Sequence, residues 1–230
     1  MQEASHPEIV LASQSPRRRE LAEKEGWNVT VLPPPETAES EADPRDSSEP
    51  PEAWVARLAK VKAAAVVSRL QPSSGSIVLA CDTVGVIDDE PLGKPVSRSD
   101  AAAMLVKLSG RFHRVLTGSC LWPADATPQL SVTESLLSMP PLTDAFLDDY
   151  LDSGLWQGKA GACGFQDGVI PLSLEAGSPS NVIGLPLETV RLQLAAFHPS
   201  NRPALPPAET PNGFLWFPAS SFPEPAVWPS

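Results

Sequence analysis

Apolar residues fall into two periods along this chain. Between residues 54 and 66, Trp54, Val55, Leu58, Val61, Ala65 and Val66 recur at helical spacing, which predicts a helix with one buried face. Residues 77–87 are instead almost continuously apolar and rich in β-branched side chains, the pattern of a central strand covered on both faces. Residues 8–13, with Ile9, Val10, Leu11 and Ala12, read as a short strand running into a tight turn, and residues 112–122 and 129–137 read as an antiparallel pair. Further helices are expected over residues 100–108, stopping at Ser109-Gly110, and over residues 143–152, stopping at Gly154. Residues 181–197 supply a turn and a last helix, with Pro186 acceptable in its first turn. No internal repeat is present.

Two stretches break the pattern. Residues 33–52 are dominated by Pro, Ser, Asp and Glu, which cannot hold a packed core and predict a mobile loop, a candidate lid. Beyond His198, nine prolines fall among Phe214, Trp216, Phe217, Phe222 and Trp228, so the chain divides into a body of residues 1–198 and a tail of residues 199–230. The tail's aromatics fit packing on the body or on a partner, and equally an extension without a catalytic role.

Composition narrows the function. At 230 residues and 42% hydrophobic the chain can bury a sizeable core. Its net charge of −11 repels polyanions, which argues against binding to nucleic acid or to an anionic membrane surface. A phosphate ligand would then need a local basic pocket and a divalent cation. Cys81, Cys120 and Cys163 are odd in number and widely spaced, so neither a disulfide framework nor a zinc site is indicated and a cytoplasmic location is expected. The N-terminal residues carry Glu3 and Glu8 and no apolar core of a signal peptide.

Three features point to chemistry. In Ser13-Gln14-Ser15-Pro16-Arg17-Arg18-Arg19, Ser15 falls at a helix N-cap and Pro16 in the first turn, so free backbone N–H groups and the positive end of the helix point out of the turn. Anions bind such ends, and Arg17 and Arg18 add forks suited to phosphate. The same arginines also fit a solvated face or a basic interaction patch. Lys62 lies within the apolar stripe of its helix, which suits either a snorkelling side chain or a ligand contact. Asp82 and Thr83 lie inside the apolar strand of residues 77–87, where a carboxylate is costly unless paired or bound to metal. His113, alone in its strand, reads as a packed residue, and the cysteines read as core.

Taken in order, the motifs LASQSPRRREL at Leu11 to Leu21, Asp82-Thr83-Val84, Leu92 to Pro95, Ser109 to Gly118, Lys159 to Gln166 and Asn181 to Leu187 resemble those of the Maf family of nucleotide pyrophosphatases. The resemblance spans residues 9–194 and leaves out the acidic loop and the tail. It implies a mixed-sheet α/β fold of the Maf/ITPase-like kind, two lobes around a central cleft. It implies hydrolysis of a nucleoside triphosphate between its α and β phosphates, with Mg²⁺ or Mn²⁺, and a possible homodimer. By the same resemblance Asp82 is the general base or metal anchor, Lys62 and Lys94 are catalytic charges, and Arg17 and Arg18 hold the triphosphate. Thr83 and Gln166, with Ser13 nearby, read the base, and Glu36 in the acidic loop joins Asp82 at the metal. Asp-Thr at residues 82–83 favours the dTTP/UTP type over the type acting on 7-methyl-GTP. The chain departs from the family at Cys81, at Cys163 and at Leu155, where a glutamate is common. A nucleotide-binding regulator linked to cell division is the alternative from another class. Nucleic-acid binding through Arg17-Arg18-Arg19 lacks an extended basic face.

Overall fold

In this computed structural model one mixed sheet of eight strands runs through the molecule, in the order β2-β1-β3-β5-β6-β7 with β4 added to β3 and β8 to β6. The structure describes residues 8–35, 38, 45–70, 76–123, 126–197 and 214–217. The strands are β1 (Ile9–Leu11), β2 (Val29–Val31), β3 (Ile77–Ile87), β4 (Glu90–Leu92), β5 (Phe112–Pro123), β6 (Gln129–Ser138), β7 (Ser173–Ala176) and β8 (Phe214–Phe217). The helices are α1 (Pro16–Lys24), α2 (Pro51–Val67), α3 (Arg98–Leu108), α4 (Asp144–Asp152), α5 (Pro179–Ile183) and α6 (Leu187–Phe197). None of the described helices is long and apolar enough to cross a membrane.

The expected central strand is β3, and its alternation sorts the core. Ile77, Leu79 and Cys81 pack with Ile9, Leu11, Ala22, Leu185 and Val190 beneath α1 and α6. Val78 and Ala80 pack on the other face with Ala59, Ala63 and Val66 of α2. Further along, Ile87 and Leu92 join Leu105, Leu108, Tyr150, Leu151 and Trp156 in a third cluster under α3 and α4. The long strands thus carry two lobes, as expected of the fold.

Two local features position the site. Strand β1 pairs parallel with β3 only as far as Leu11 and Leu79, and β4 takes up the same edge from Gly85 onward. The edge of β3 between those pairings carries Asp82 and Thr83. On the opposite side β5 approaches α2 at backbone distance, because a Cβ built on Gly118 would lie 2.4 Å from the Val55 carbonyl oxygen. Only a glycine fits there.

Several boundaries differ from the sequence reading. Helix α2 begins at Pro51, three residues early, because Pro50-Pro51 sets the helical φ of a first turn. Pro186 stands just before α6, its carbonyl accepting the Val190 N–H at 2.9 Å, and the turn before it is itself the short helix α5. Strands β2 and β7 have no signal of their own, being three and four residues long and poorly buried. Of the tail, β8 pairs antiparallel with β6, Leu130 opposite Phe217.

Candidate active site

A cleft of about 800 Å³ opens between the two lobes. One wall is the turn from β1 into α1. Ser15 is extended at φ −73° and accepts the Arg18 N–H at 3.5 Å, while its own N–H donates to Ser13 Oγ at 3.1 Å. Pro16 opens the helix, so the turn has the form expected of an anion site.

The structure separates the two arginines of this turn. Arg17 is half-buried in the cleft wall, with no hydrogen bond or ion pair among the described residues. Arg18 is held inside the protein. Its Nε donates to the Gly184 carbonyl at 2.7 Å, its Nη2 to Thr83 Oγ1 at 3.0 Å and its Nη1 to Ser13 Oγ at 3.4 Å. Gly184 has φ +110°, and a Cβ there would meet Thr83 Oγ1 at 2.9 Å and the Arg18 fork at 3.2 Å. Both the left-handed backbone and the missing side chain let this carbonyl reach the guanidinium. The chain of contacts continues from Thr83 Oγ1 to Thr117 Oγ1 at 2.9 Å, and Thr117 donates to the Asn181 carbonyl at 3.0 Å.

Asp82 precedes Thr83 and so points to the other face of β3, toward α2. There Lys62 Nζ donates to Asp82 Oδ1 in an ion pair, the two side chains being 9% and 15% exposed. The apolar stripe that carries Lys62 also sends Trp54 and Leu58 to the cleft, at four-residue spacing along α2. Lys62 is therefore neither snorkelling nor alone. Lys94 is exposed after β4 and lines the cleft, and Gln166 is exposed on the loop of residues 158–168, which lines it too. The structure thus brings Ser13, Arg17, Arg18, Lys62, Asp82, Thr83, Lys94 and Gln166 to one cleft. Glu36 lies outside the described residues.

Two basic cleft residues carried no predicted role. Lys159, from the glycine-rich loop, lines the cleft and is ion-paired to Asp167. Arg45 also lines it. The available signal was composition, since Arg45 is the one basic residue in the acidic stretch of residues 33–52. Arg17, Arg18, Arg45, Lys62, Lys94 and Lys159 face a single cleft-lining carboxylate, Asp82, among the described residues. In a chain of net charge −11 this reverses the local field.

His113 is 5% exposed on the cleft floor; burial pushes its imidazole down to about 4, opposed only in part by a hydrogen bond to the Arg111 backbone. It is neutral at pH 7, in keeping with a packed residue. Burial likewise pushes the Cys81 thiol up to about 11 and the Cys163 thiol up to about 12, so neither is a nucleophile. Leu155 is 41% exposed and not part of the cleft wall, so its departure from the family leaves the described cleft intact. No three His, Cys, Asp or Glu side chains among the described residues converge on a metal position.

Comparison with known proteins adds the family. The profile described as Maf-like protein matches residues 8–197. A dTTP/UTP pyrophosphatase of Rhodopirellula baltica is 44% identical over 191 residues, covering 82% of each chain. The dTTP/UTP pyrophosphatase of Anaeromyxobacter sp. (strain Fw109-5) is 41% identical over 198 residues, 83% of this chain and 90% of its own. Among solved structures, a HAM1 protein from Coxiella burnetii aligns with a TM-score of 0.38 and 18% identity, over 58% of this chain and 73% of that one.

Proposed function

This chain belongs to the Maf family, and we propose that it is a nucleoside triphosphate pyrophosphatase acting on dTTP and UTP to give the monophosphate and pyrophosphate. The observation that carries the reading is the charge reversal, six cations against one carboxylate in the cleft of an acidic protein. A triphosphate is the ligand such a cleft attracts.

The residues suit the chemistry of attack by water on the α-phosphorus. Asp82 takes a proton from the water as its oxygen bonds to phosphorus, and the bond from phosphorus to the α–β bridging oxygen breaks, its electron pair leaving with pyrophosphate. Lys62 holds the Asp82 carboxylate in place through its hydrogen bond. Arg17, unengaged by the described residues, and Lys94 of the cleft lining neutralise phosphate oxygens. Arg18 spends three donors internally and positions the turn, with two of its five N–H groups left for a ligand. Thr83 and Gln166 read the base, Gln166 offering both donor and acceptor.

A divalent metal fits this donor set in one way. Asp82 is the single carboxylate of the described cleft, too few for an all-protein site but enough for Mg²⁺ or Mn²⁺ held jointly by a carboxylate and substrate phosphates, with Glu36 as a second ligand. Such an ion would neutralise charge on the phosphates. A cytoplasmic homodimer belongs to the same reading.

A pyrophosphate-release screen over canonical and modified triphosphates, with each metal, tests it. Fastest release from dTTP and UTP is expected. Fastest release from 7-methyl-GTP would overturn the pyrimidine assignment, and tight nucleotide binding without turnover of any triphosphate would make the protein a regulator.

A further inference from the structure

Four buried polar atoms lack a hydrogen-bond partner among the described residues: Arg45 Nε, His113 Nδ1, Asn181 Oδ1 and Gln193 Nε2. Only Arg45 and His113 belong to cleft-lining residues, and of these two only Arg45 is charged. A buried guanidinium N–H without an acceptor is costly, and where it lines a ligand cleft an anionic ligand supplies the missing partner.

The residues that follow Arg45 are fixed by local hydrogen bonds. The Glu49 N–H donates to the Asp46 carbonyl at 2.9 Å, and Asp46 Oδ1 accepts from both the N–H and the hydroxyl of Ser48 at 2.9 Å. Glu49 then grips Arg57 of α2 through two hydrogen bonds of 2.8 Å. Arg45 thus precedes a closed turn that is bolted to the helix carrying Trp54, Leu58 and Lys62 into the cleft. Pro34 and Pro35 line the cleft as well.

We propose that Arg45 is a phosphate-binding residue that clasps the pyrophosphate end of the substrate triphosphate. The proposal rests on the triphosphate reading of the cleft. With Asp82 and Lys62 assigned to the α-phosphorus and Gln166 to the base, Arg45, a cleft-lining cation with a buried N–H that lacks an acceptor among the described residues, is left for the β and γ phosphates. Its planar fork suits two phosphate oxygens at once, which a lysine cannot reproduce. Placed there, it neutralises the charge that accumulates on the leaving pyrophosphate.

The experiment uses the full chain in Mg²⁺ buffer, with wild type, Arg45→Met and Arg45→Lys. Calorimetric titration with inorganic pyrophosphate and separately with UMP reads the two ends of the cleft. Arg45→Met is expected to weaken pyrophosphate binding by about 10- to 100-fold while leaving UMP within about twofold, because charge-assisted bonds are lost only at one end. Arg45→Lys recovers part of that loss. KM for UTP rises in parallel. Unchanged pyrophosphate affinity in Arg45→Met, or equal weakening of pyrophosphate and UMP, overturns the assignment. Wild type that hydrolyses UTP while Arg45→Met matches it overturns Arg45 alone. Wild type that binds neither pyrophosphate nor UMP overturns the triphosphate reading and this one with it.

Discussion

Asp82 and Thr83 are neighbours in sequence, yet they face opposite sides of β3, and the two sides are built differently. Toward α2, the Asp82 carboxylate has one close partner among the described residues, Lys62, and it lines the cleft. Toward α1 and α5, Thr83 is one link in a chain that joins Arg18, Gly184, Thr117 and Asn181. One side is free to exchange a proton. The other is braced so that the turn bearing Arg17 stays where it is. Both reach a single cleft because β1 leaves the β3 edge before residue 82.

That contrast breaks first at the carboxylate. Asp82→Asn keeps the shape and removes the base, and kcat is expected to fall by about 10²- to 10⁴-fold with a near-native melting curve. Retained activity would take the chemical step away from this side of the strand. Gly184→Ala acts on the braced side, where a Cβ collides with Thr83 Oγ1 and the Arg18 fork at a φ of +110°. A loss of about 2–3 kcal/mol in urea unfolding is expected, together with a higher KM, since strained left-handed backbone costs on that order.

The braced side of the sheet also carries His113, four residues along β5 from Thr117 and so on the same face. Its folded value of about 4 lies below the ordinary value of 6.5, so the unfolded chain binds more protons between those limits. The stability it contributes is complete above pH 6.5 and is lost as pH falls toward 4, amounting to about 2 kcal/mol by pH 5. Urea midpoints at pH 7.5 and pH 5 are expected to differ less in His113→Gln than in wild type. The smallest effect belongs to Thr83→Val, which keeps the shape and deletes one hydroxyl. Arg18 loses one of its acceptors, at about 1 kcal/mol, and the ratio of UTP to GTP hydrolysis falls. An unchanged ratio would leave Thr83 as a brace alone.

How much of this was legible in sequence depended on how far apart the partners lie. Strand β3 matched its apolar run to the residue, and Lys62 and Asp82 announced each other by being charged within apolar patterns of two different periods. Local pattern could not tell Arg17 from Arg18. Their difference comes from a carbonyl 166 positions away and from the φ of one glycine. Arg45 was hidden for a related reason, because an acidic, proline-rich stretch gives no period from which to read a direction. Short strands such as β2 and β7 take their form from the sheet edge they join rather than from their own residues.

Gly118 lies opposite Asp82 in the β3–β5 register, and its missing side chain admits the Val55 carbonyl of α2. That contact sets the clearance between helix and sheet, and Lys62 spans the same gap about two turns further along the same helix. A methyl group added at Gly118 would lift α2 like a shim. The ammonium would then hang short of the carboxylate, and an enzyme with every polar residue intact would lose its grip on the base through a change in spacing alone.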